Sequence, residues 1–434
     1  MIYRNIKNGI EKNLFVFISF VLYFILIFFI INHIKIFYIH NFGVKTPLLD
    51  YFYGWCFALF LSLLLIFLPI KFKNYLLTGW FFKVFIIFFF DYLYESHYSI
   101  LDAYSYFNTA KNTPYYLLKP FNDSYNMVVI LSYLYSIFPL SFSLGTVFFA
   151  FIGLSAQYIF YRGASLIIGY DSKLLLIFLL FTPSLIFWSS ILGKDPIVLF
   201  LISLYFLGFA IFIKKPGLKV KPISILLIGF AFIGFIFFRF WLIGVFGISL
   251  FLSFLTLKRI ENYRKVLFII ISIPIAFYIG TIVFSRFHIH NFQSYIYFMS
   301  HVSHQWAHGG SAQDVVFYSV KGYIINMPHM IFATLFEPLI GEGRNLFQIF
   351  AGLQNTILLI YFIYAIYKLK FISFKNDKLR ILLINIIVWA FIYAPISFQN
   401  LGTANRFEIQ ILPFMMTYIF VALKFKRLPI SEKV

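Results

Sequence analysis

Residues 194–215 read Lys194-Asp-Pro-Ile-Val-Leu-Phe-Leu-Ile-Ser-Leu-Tyr-Phe-Leu-Gly-Phe-Ala-Ile-Phe-Ile-Lys214-Lys215. No residue from Pro196 to Ile213 is charged, and cations stand at both ends. About 20 apolar residues in a helix match the hydrocarbon thickness of a bilayer. A helix also satisfies its own backbone hydrogen bonds where there is no water to do so. The stretch predicts a membrane span over 196–213, with Pro196 in its first turn and Asp195 as its cap.

Working outward, the same reading predicts twelve spans: 14–32, 51–70, 75–90, 141–160, 174–192, 196–213, 223–238, 241–257, 266–284, 347–367, 381–396 and 411–423. Residues 126–139 form one more apolar helix, too short to cross, expected along the outer interface. The first span has no small-residue cleavage site and is expected to be an uncleaved anchor. The fold class is therefore all-α and polytopic, one transmembrane domain over 1–434 with no internal repeat.

Composition excludes the alternatives. The 434 residues are 62% hydrophobic and 12% charged, with a mean hydropathy of +0.89. A soluble domain of this size has no way to bury so much apolar surface. The 63 Phe and 31 Tyr suit lipid-facing surfaces and interface belts. Cys56 is the only cysteine, so a disulfide framework and a Cys-type zinc site are both ruled out. The net charge of +20 sits in short clusters beside the spans, not on a soluble basic face, which argues against nucleic acid.

Those clusters set the sidedness. With a cytoplasmic N-terminus, the inner segments carry 24 of the 35 Lys and Arg residues and only five of the 15 acids. Every inner loop then obeys the positive-inside rule. The expected location is the plasma (inner) membrane, multi-pass, with both termini cytoplasmic and cations facing anionic lipids. The inner loops are short. The long segments, 91–140 and 285–346, and a polar loop at 397–410, lie outside, and function is expected there.

In the first outer segment Asp91 and Glu95 are spaced to share a helix face, and Asp102 opens an amphipathic stretch with Tyr104 and Tyr106. A carboxylate walled by aromatics at the bilayer edge suits a general base for a sugar hydroxyl. The plainer readings are a helix cap for Asp102 and a solvated face for Asp91 and Glu95. Lys194 is a cation at an outer edge, where charge bias disfavours one. Arg239, within Phe237-Phe-Arg-Phe-Trp241, is either functional by its depth or snorkels to the interface.

Arg406 either pairs with Glu408 or grips phosphate oxygens at two points. Arg286, Lys321 and Arg344 add outer cations suited to a lipid-linked phosphate. His301, His304 and His308 share a helical face, and His288 and His290 lie upstream, so a divalent metal is open as a cofactor. No carboxylate stands at a ligand spacing, and Gly309-Gly310 ends that helix, which favours a flexible interfacial loop. Gly341-Glu-Gly-Arg344 reads as a turn.

Three stretches carry a resemblance: Asp102-Ala-Tyr-Ser-Tyr-Phe-Asn-Thr-Ala, the run from Pro183-Ser-Leu-Ile-Phe-Trp-Ser-Ser to Gly193-Lys-Asp195, and Gly402-Thr-Ala-Asn-Arg-Phe-Glu-Ile-Gln-Ile-Leu-Pro413-Phe. Residues 328–355, with Phe336-Glu-Pro338, add to it. Together they resemble the multi-spanning GT-C glycosyltransferases, in particular the bacterial dolichol-phosphate-mannose transferase-like group. The acidic pair common in that group is here a lone Asp102, with Asp91 and Glu95 upstream.

The resemblance implies a sugar donor on polyprenyl phosphate, presented among membrane lipids at the outer leaflet, and a glycan, lipid or protein acceptor. Asp102 would activate the acceptor hydroxyl, and outer cations, Arg406 and Arg239 foremost, would hold the leaving phosphate. Two rivals share the topology: an O-antigen-type repeat-unit polymerase, and a flippase or transporter for lipid-linked oligosaccharides. A transporter wants ionisable residues in mid-span, and Lys83 alone was expected there.

Overall fold

A computed structural model describes residues 47–88, 102–112, 117–214, 221–258, short stretches between 262 and 298, 319–343, 346–370, 372–398 and 400–424, with Val21 and Ile25 as isolated positions. The expected span at 14–32 and most of that at 266–284 lie outside the described residues. So do Asp91, Glu95, Arg286, Arg344, His288, His301, His304 and His308. The described residues are all-helical, without strands.

The chain divides into two compact units. The first comprises Met1–Gly163 and Ser172–Arg239, the second Ala164–Asp171 and Phe240–Val434.

In the first unit, α1 (Pro47–Phe67) and α2 (Lys73–Ile86) are followed by α3 (Asp102–Asn112), α4 (Asp123–Ile137) and α5 (Phe142–Ile168). Then come α6 (Lys173–Phe181), α7 (Pro183–Trp188), α8 (Lys194–Lys214) and α9 (Lys221–Phe238). Fully buried Trp80, Phe149, Phe160, Tyr161, Tyr205 and Phe206 fill its core. Trp55 stacks on Phe88 with ring centroids 4.3 Å apart, and Phe160 on Phe206 at 4.4 Å. Helices α8 and α9 pack along their length. The approach is close because Gly234 presents no side chain: a Cβ there would sit 2.4 Å from Leu201.

The carboxylate of Asp50 caps α5, accepting from Phe142 N at 2.7 Å, Ser143 N at 3.1 Å and Ser143 Oγ at 2.6 Å. The N–H groups at a helix start have no partner within the helix, and a buried carboxylate beside them meets both needs.

The second unit holds α10 (Leu242–Thr256), α11 (Val320–Phe336), α12 (Leu346–Leu369), α13 (Ile372–Lys375), α14 (Asp377–Ser397), α15 (Leu401–Glu408) and α16 (Leu412–Lys424). Helix α14 is central, touching α10, α11 and α16. Its Trp389 and Tyr393 are fully buried and stack at 4.6 Å.

Five described helices are long and apolar enough to cross a membrane: Leu49–Phe67, Phe142–Ile168, Lys194–Lys214, Gln348–Leu369 and Asp377–Ser397. The bent pair Gly402–Glu408 and Leu412–Lys424 makes a sixth if it is one crossing. The described residues therefore do not bear out twelve spans, and within them four of the expected runs fall short. The run 174–192 breaks at Thr182-Pro183. Proline supplies no N–H and pushes the preceding residue out of the helical region; Thr182 is extended at φ −67°, ψ 123°. The runs 75–90, 223–238 and 241–257 give α2, α9 and α10, of 14, 18 and 15 residues. The second outer segment, in turn, contains a helix that periodicity did not suggest, α11.

Candidate functional site

In α3, Ala103, Tyr106, Phe107 and Ala110 are buried along one face, while Asp102 in the first turn is exposed. Tyr106 stands one turn after Asp102 on the same side. Tyr104, two residues on, points elsewhere: its ring stacks on Phe142 at 4.8 Å and 4°.

Helix α4 begins with Asn122 as cap, whose side chain accepts from Tyr125 N, and then Asp123. Its position is set by the segment before it. Phe121 N donates to Ile236 O at 2.9 Å, in the last turn of α9. Asn126 Nδ2 donates to Phe237 O at 2.8 Å and to Lys119 O at 2.7 Å, while Asn126 Oδ1 accepts from Lys119 N at 2.7 Å. One buried carboxamide thus satisfies a carbonyl at the end of α9 and locks residues 119–126 onto it.

That lock brings Asp123 to the start of α8. Lys194 Nζ donates to Asp123 Oδ2 at 2.7 Å and to Ser124 Oγ at 3.3 Å, and lies 5.9 Å from the centroid of the Tyr106 ring. The Tyr106 ring thus lies beside the Lys194–Asp123 pair. Burial pushes its phenol above the usual tyrosine range. The Lys194 charge opposes this and the Asp102 charge reinforces it. The result is a compact cluster: an exposed carboxylate, a phenol, a lysine, a second carboxylate and a serine hydroxyl.

Beside it, Asp195 and Arg239 form an ion pair, Oδ1 to a guanidinium nitrogen at 3.5 Å, with side chains 0% and 5% exposed. Arg239 extends the last turn of α9, its N–H donating to Phe235 O at 2.9 Å. Asp195, expected as the cap, lies instead within the first turn of α8, which starts at Lys194, and faces the interior. The depth of Arg239 is accounted for by this partner, not by snorkelling.

Lys83, expected within a span, is also compensated. It is fully buried, and its Nζ bonds Ser189 Oγ and approaches Ser189 O and Ser190 Oγ, each at 3.4 Å. The last turn of α7 thus receives a cation where helix carbonyls favour one. Helix α5 comes within reach through Gly153, where a Cβ would meet Ser189 O at 2.0 Å.

Arg406 belongs to the second unit, half-buried on α15. It does not pair with Glu408. Residues two apart on a helix point in different directions, and Glu408 is buried at 1% exposure. The expected polar loop 397–410 is mostly this helix. Of His288, His290, His301, His304 and His308, only His290 is described; its backbone N–H bonds Ser294 Oγ at 2.9 Å. Among the described residues no three His, Cys, Asp or Glu side chains gather as a metal site would need.

Of the expected site residues, then, Asp102, Lys194 and Arg239 belong to one unit, Asp102 precedes Tyr106 by one turn, Lys194 lies 5.9 Å from the Tyr106 ring, and Tyr104 packs aside. Sequence reading missed Asp123, Ser124 and Asn126 as members of the site. The signal was present as Asn122-Asp123-Ser124, a helix start of the preferred capping type, but nothing local shows which cation such a cap will meet. No protein-family model, curated protein or solved structure matches the chain.

Proposed function

We propose that the chain is a membrane glycosyltransferase of the GT-C type, which moves a sugar from a polyprenyl-phosphate donor to an acceptor hydroxyl at the outer membrane face. The observation that carries this reading is the Asp102–Tyr106–Lys194 arrangement: an exposed carboxylate one helical turn before a buried tyrosine, with a lysine 5.9 Å from that ring. Transfer from a lipid phosphate calls for one base and one cation.

On this reading Asp102 takes the proton of the acceptor hydroxyl as its oxygen bonds the anomeric carbon. The bond from that carbon to the phosphate oxygen breaks, and the phosphate leaves with the electron pair. Lys194, and Arg239 beside it, stabilise the charge that develops. A single displacement inverts the anomeric centre and needs no second carboxylate as nucleophile. Asp123 holds Lys194 until phosphate competes for it.

The segregation of charge supports an outer-facing site, cytoplasmic termini and a plasma-membrane location. The short helices α2, α6 with α7, α9 and α10, together with residues 14–32 and 266–284, are proposed to complete the remaining crossings. The resemblance supports polyprenyl phosphate as carrier.

The test is transfer by the purified chain in liposomes, given a panel of radiolabelled polyprenyl-phosphate monosaccharides and acceptor extracts. Labelled product from one monosaccharide donor is the expected result. Product only from a lipid-pyrophosphate oligosaccharide would replace this reading with the repeat-unit polymerase.

A further inference from the structure

Glu408 lies at the end of α15, where the chain turns by 62° into α16 across residues 409–411. Pro413 helps to keep the two helices apart, because it has no N–H to carry the ladder through the bend. The Glu408 carboxyl is buried, and its Oε1 has no hydrogen-bond partner. Gln410, inside the bend, is equally buried. Its Oε1 accepts from Trp389 Nε1 at 3.1 Å, and its Nε2 has no acceptor.

The side of α14 that meets this bend is polar at a spacing of four residues: Asn385, Trp389, Tyr393 and Ser397, all buried. Tyr393 packs on Phe407 at 5.3 Å, and Ser397 Oγ bonds Thr334 Oγ1 of α11 at 2.9 Å. On α10, which packs along α14, the buried hydroxyls of Ser249 and Ser253, one turn apart, have no partner. An apolar helix bundle is destabilised by such a seam, since each buried group without a partner is costly. Ionisable residues at membrane depth accompany ion and proton routes, and broken helices accompany binding sites in membrane proteins. The orphans here include both acceptors and a donor, the combination that water serves.

We propose that Glu408 is a proton-binding site, reached by water along the polar seam between α14, α10 and the α15–α16 bend. The carboxylate takes a proton from a hydronium ion in the seam, giving a carboxylic acid and water; the reverse step returns the proton.

The titratable and charged groups on the elements around it are Lys321, Tyr323 and His329 on α11, Asp377, Lys378, Arg380 and Tyr393 on α14, Tyr418 and Lys424 on α16 and Arg406 on its own helix; α10 carries none. None forms an ion pair with Glu408. His329 instead meets Glu337, at 3.6 Å, and Asp377 is paired with Arg380.

The test uses dicyclohexylcarbodiimide, an apolar reagent that adds to protonated carboxyl groups in membrane interiors. The full chain in liposomes is treated between about pH 6 and about pH 10 and its peptides are weighed. The expected result is an adduct on Glu408 that falls about tenfold per pH unit above its midpoint, is unchanged by sodium, and is absent in Glu408→Gln. No adduct at any pH, or an adduct suppressed by sodium ions at fixed pH, overturns the proposal. The titration of the unaltered chain decides the question even if the variant fails to fold. Because no sugar transfer is read, its outcome is separate from that of the transferase reading.

Discussion

Asp195 and Arg239 lie 3.5 Å apart with side chains 0% and 5% exposed, one at the start of α8 and the other at the end of α9. Each compensates the other where solvent cannot. Taking two ions out of water costs so much that such a pair adds little net stability, yet breaking it leaves an uncompensated charge. Arg239→Leu is expected to destabilise the first unit by about 3–5 kcal/mol, and Asp195→Leu by a similar amount. The double variant should recover most of that loss. Thermal unfolding of the four proteins in detergent checks the cycle; additive losses in the double variant would show that the two charges do not act as a pair.

Asn126 is expected to be among the least replaceable polar residues of the first unit. Its carboxamide donates to two carbonyls and accepts one N–H. Asn126→Asp keeps the shape and removes the donor, leaving the Lys119 and Phe237 carbonyls facing a carboxylate. A cost of about 1–3 kcal/mol per orphaned group is expected. Limited proteolysis should also cut the 113–122 segment faster in the variant, because its tether to α9 is lost.

Tyr106 sets an alkaline limit. Its phenol is held above the ordinary value of about 10, with burial as the leading cause. The folded state therefore holds this proton more tightly than the unfolded chain. The stability it contributes is complete below the ordinary tyrosine value and is lost as pH rises through the raised one. Tyr106→Phe should flatten that part of the stability curve. Unfolding midpoints of both proteins across the alkaline range provide the check, and identical slopes would remove Tyr106 from the account.

Lys194 and Asp123 should separate function from stability. A partly exposed pair of this kind is worth about 0–1 kcal/mol, with side chains here 12% and 34% exposed. Lys194→Gln is expected to leave unfolding nearly unchanged while lowering kcat/KM for the lipid-phosphate donor by about 100-fold, the loss of one charge-stabilising contact. Asp123→Asn, which frees the lysine, should lower KM for the same donor. A KM unaffected in Asp123→Asn would mean that phosphate does not compete for Lys194.

The long uncharged runs were legible as helices because nothing tertiary has to be known to read them: 196–213 and 381–396 emerge as α8 and α14 within a few residues of expectation. Breaks inside an apolar run were not. Hydropathy averages over Thr182-Pro183 and over the bend at 409–411, where backbone geometry, not polarity, decides. Lys194 and Arg239 stood out in sequence because cations are costly where they sit. Their partners did not, since Asp123 is 71 residues from Lys194 and looks like any helix cap. Glu408 stood out only as a possible partner for Arg406 in a polar loop, because its neighbours Asn405, Arg406 and Gln410 are polar. Only packing reveals that it is buried.

The central claim is that Asp102 is the base of a sugar transfer, and the most direct measurement compares the unaltered chain with Asp102→Asn at equal expression, in membranes supplied with a radiolabelled polyprenyl-phosphate sugar. The account predicts transfer by the unaltered chain and a loss of about 100-fold or more in the variant, the usual scale for a general base, with unfolding unchanged because Asp102 is exposed. Transfer at the unaltered rate in Asp102→Asn would contradict it.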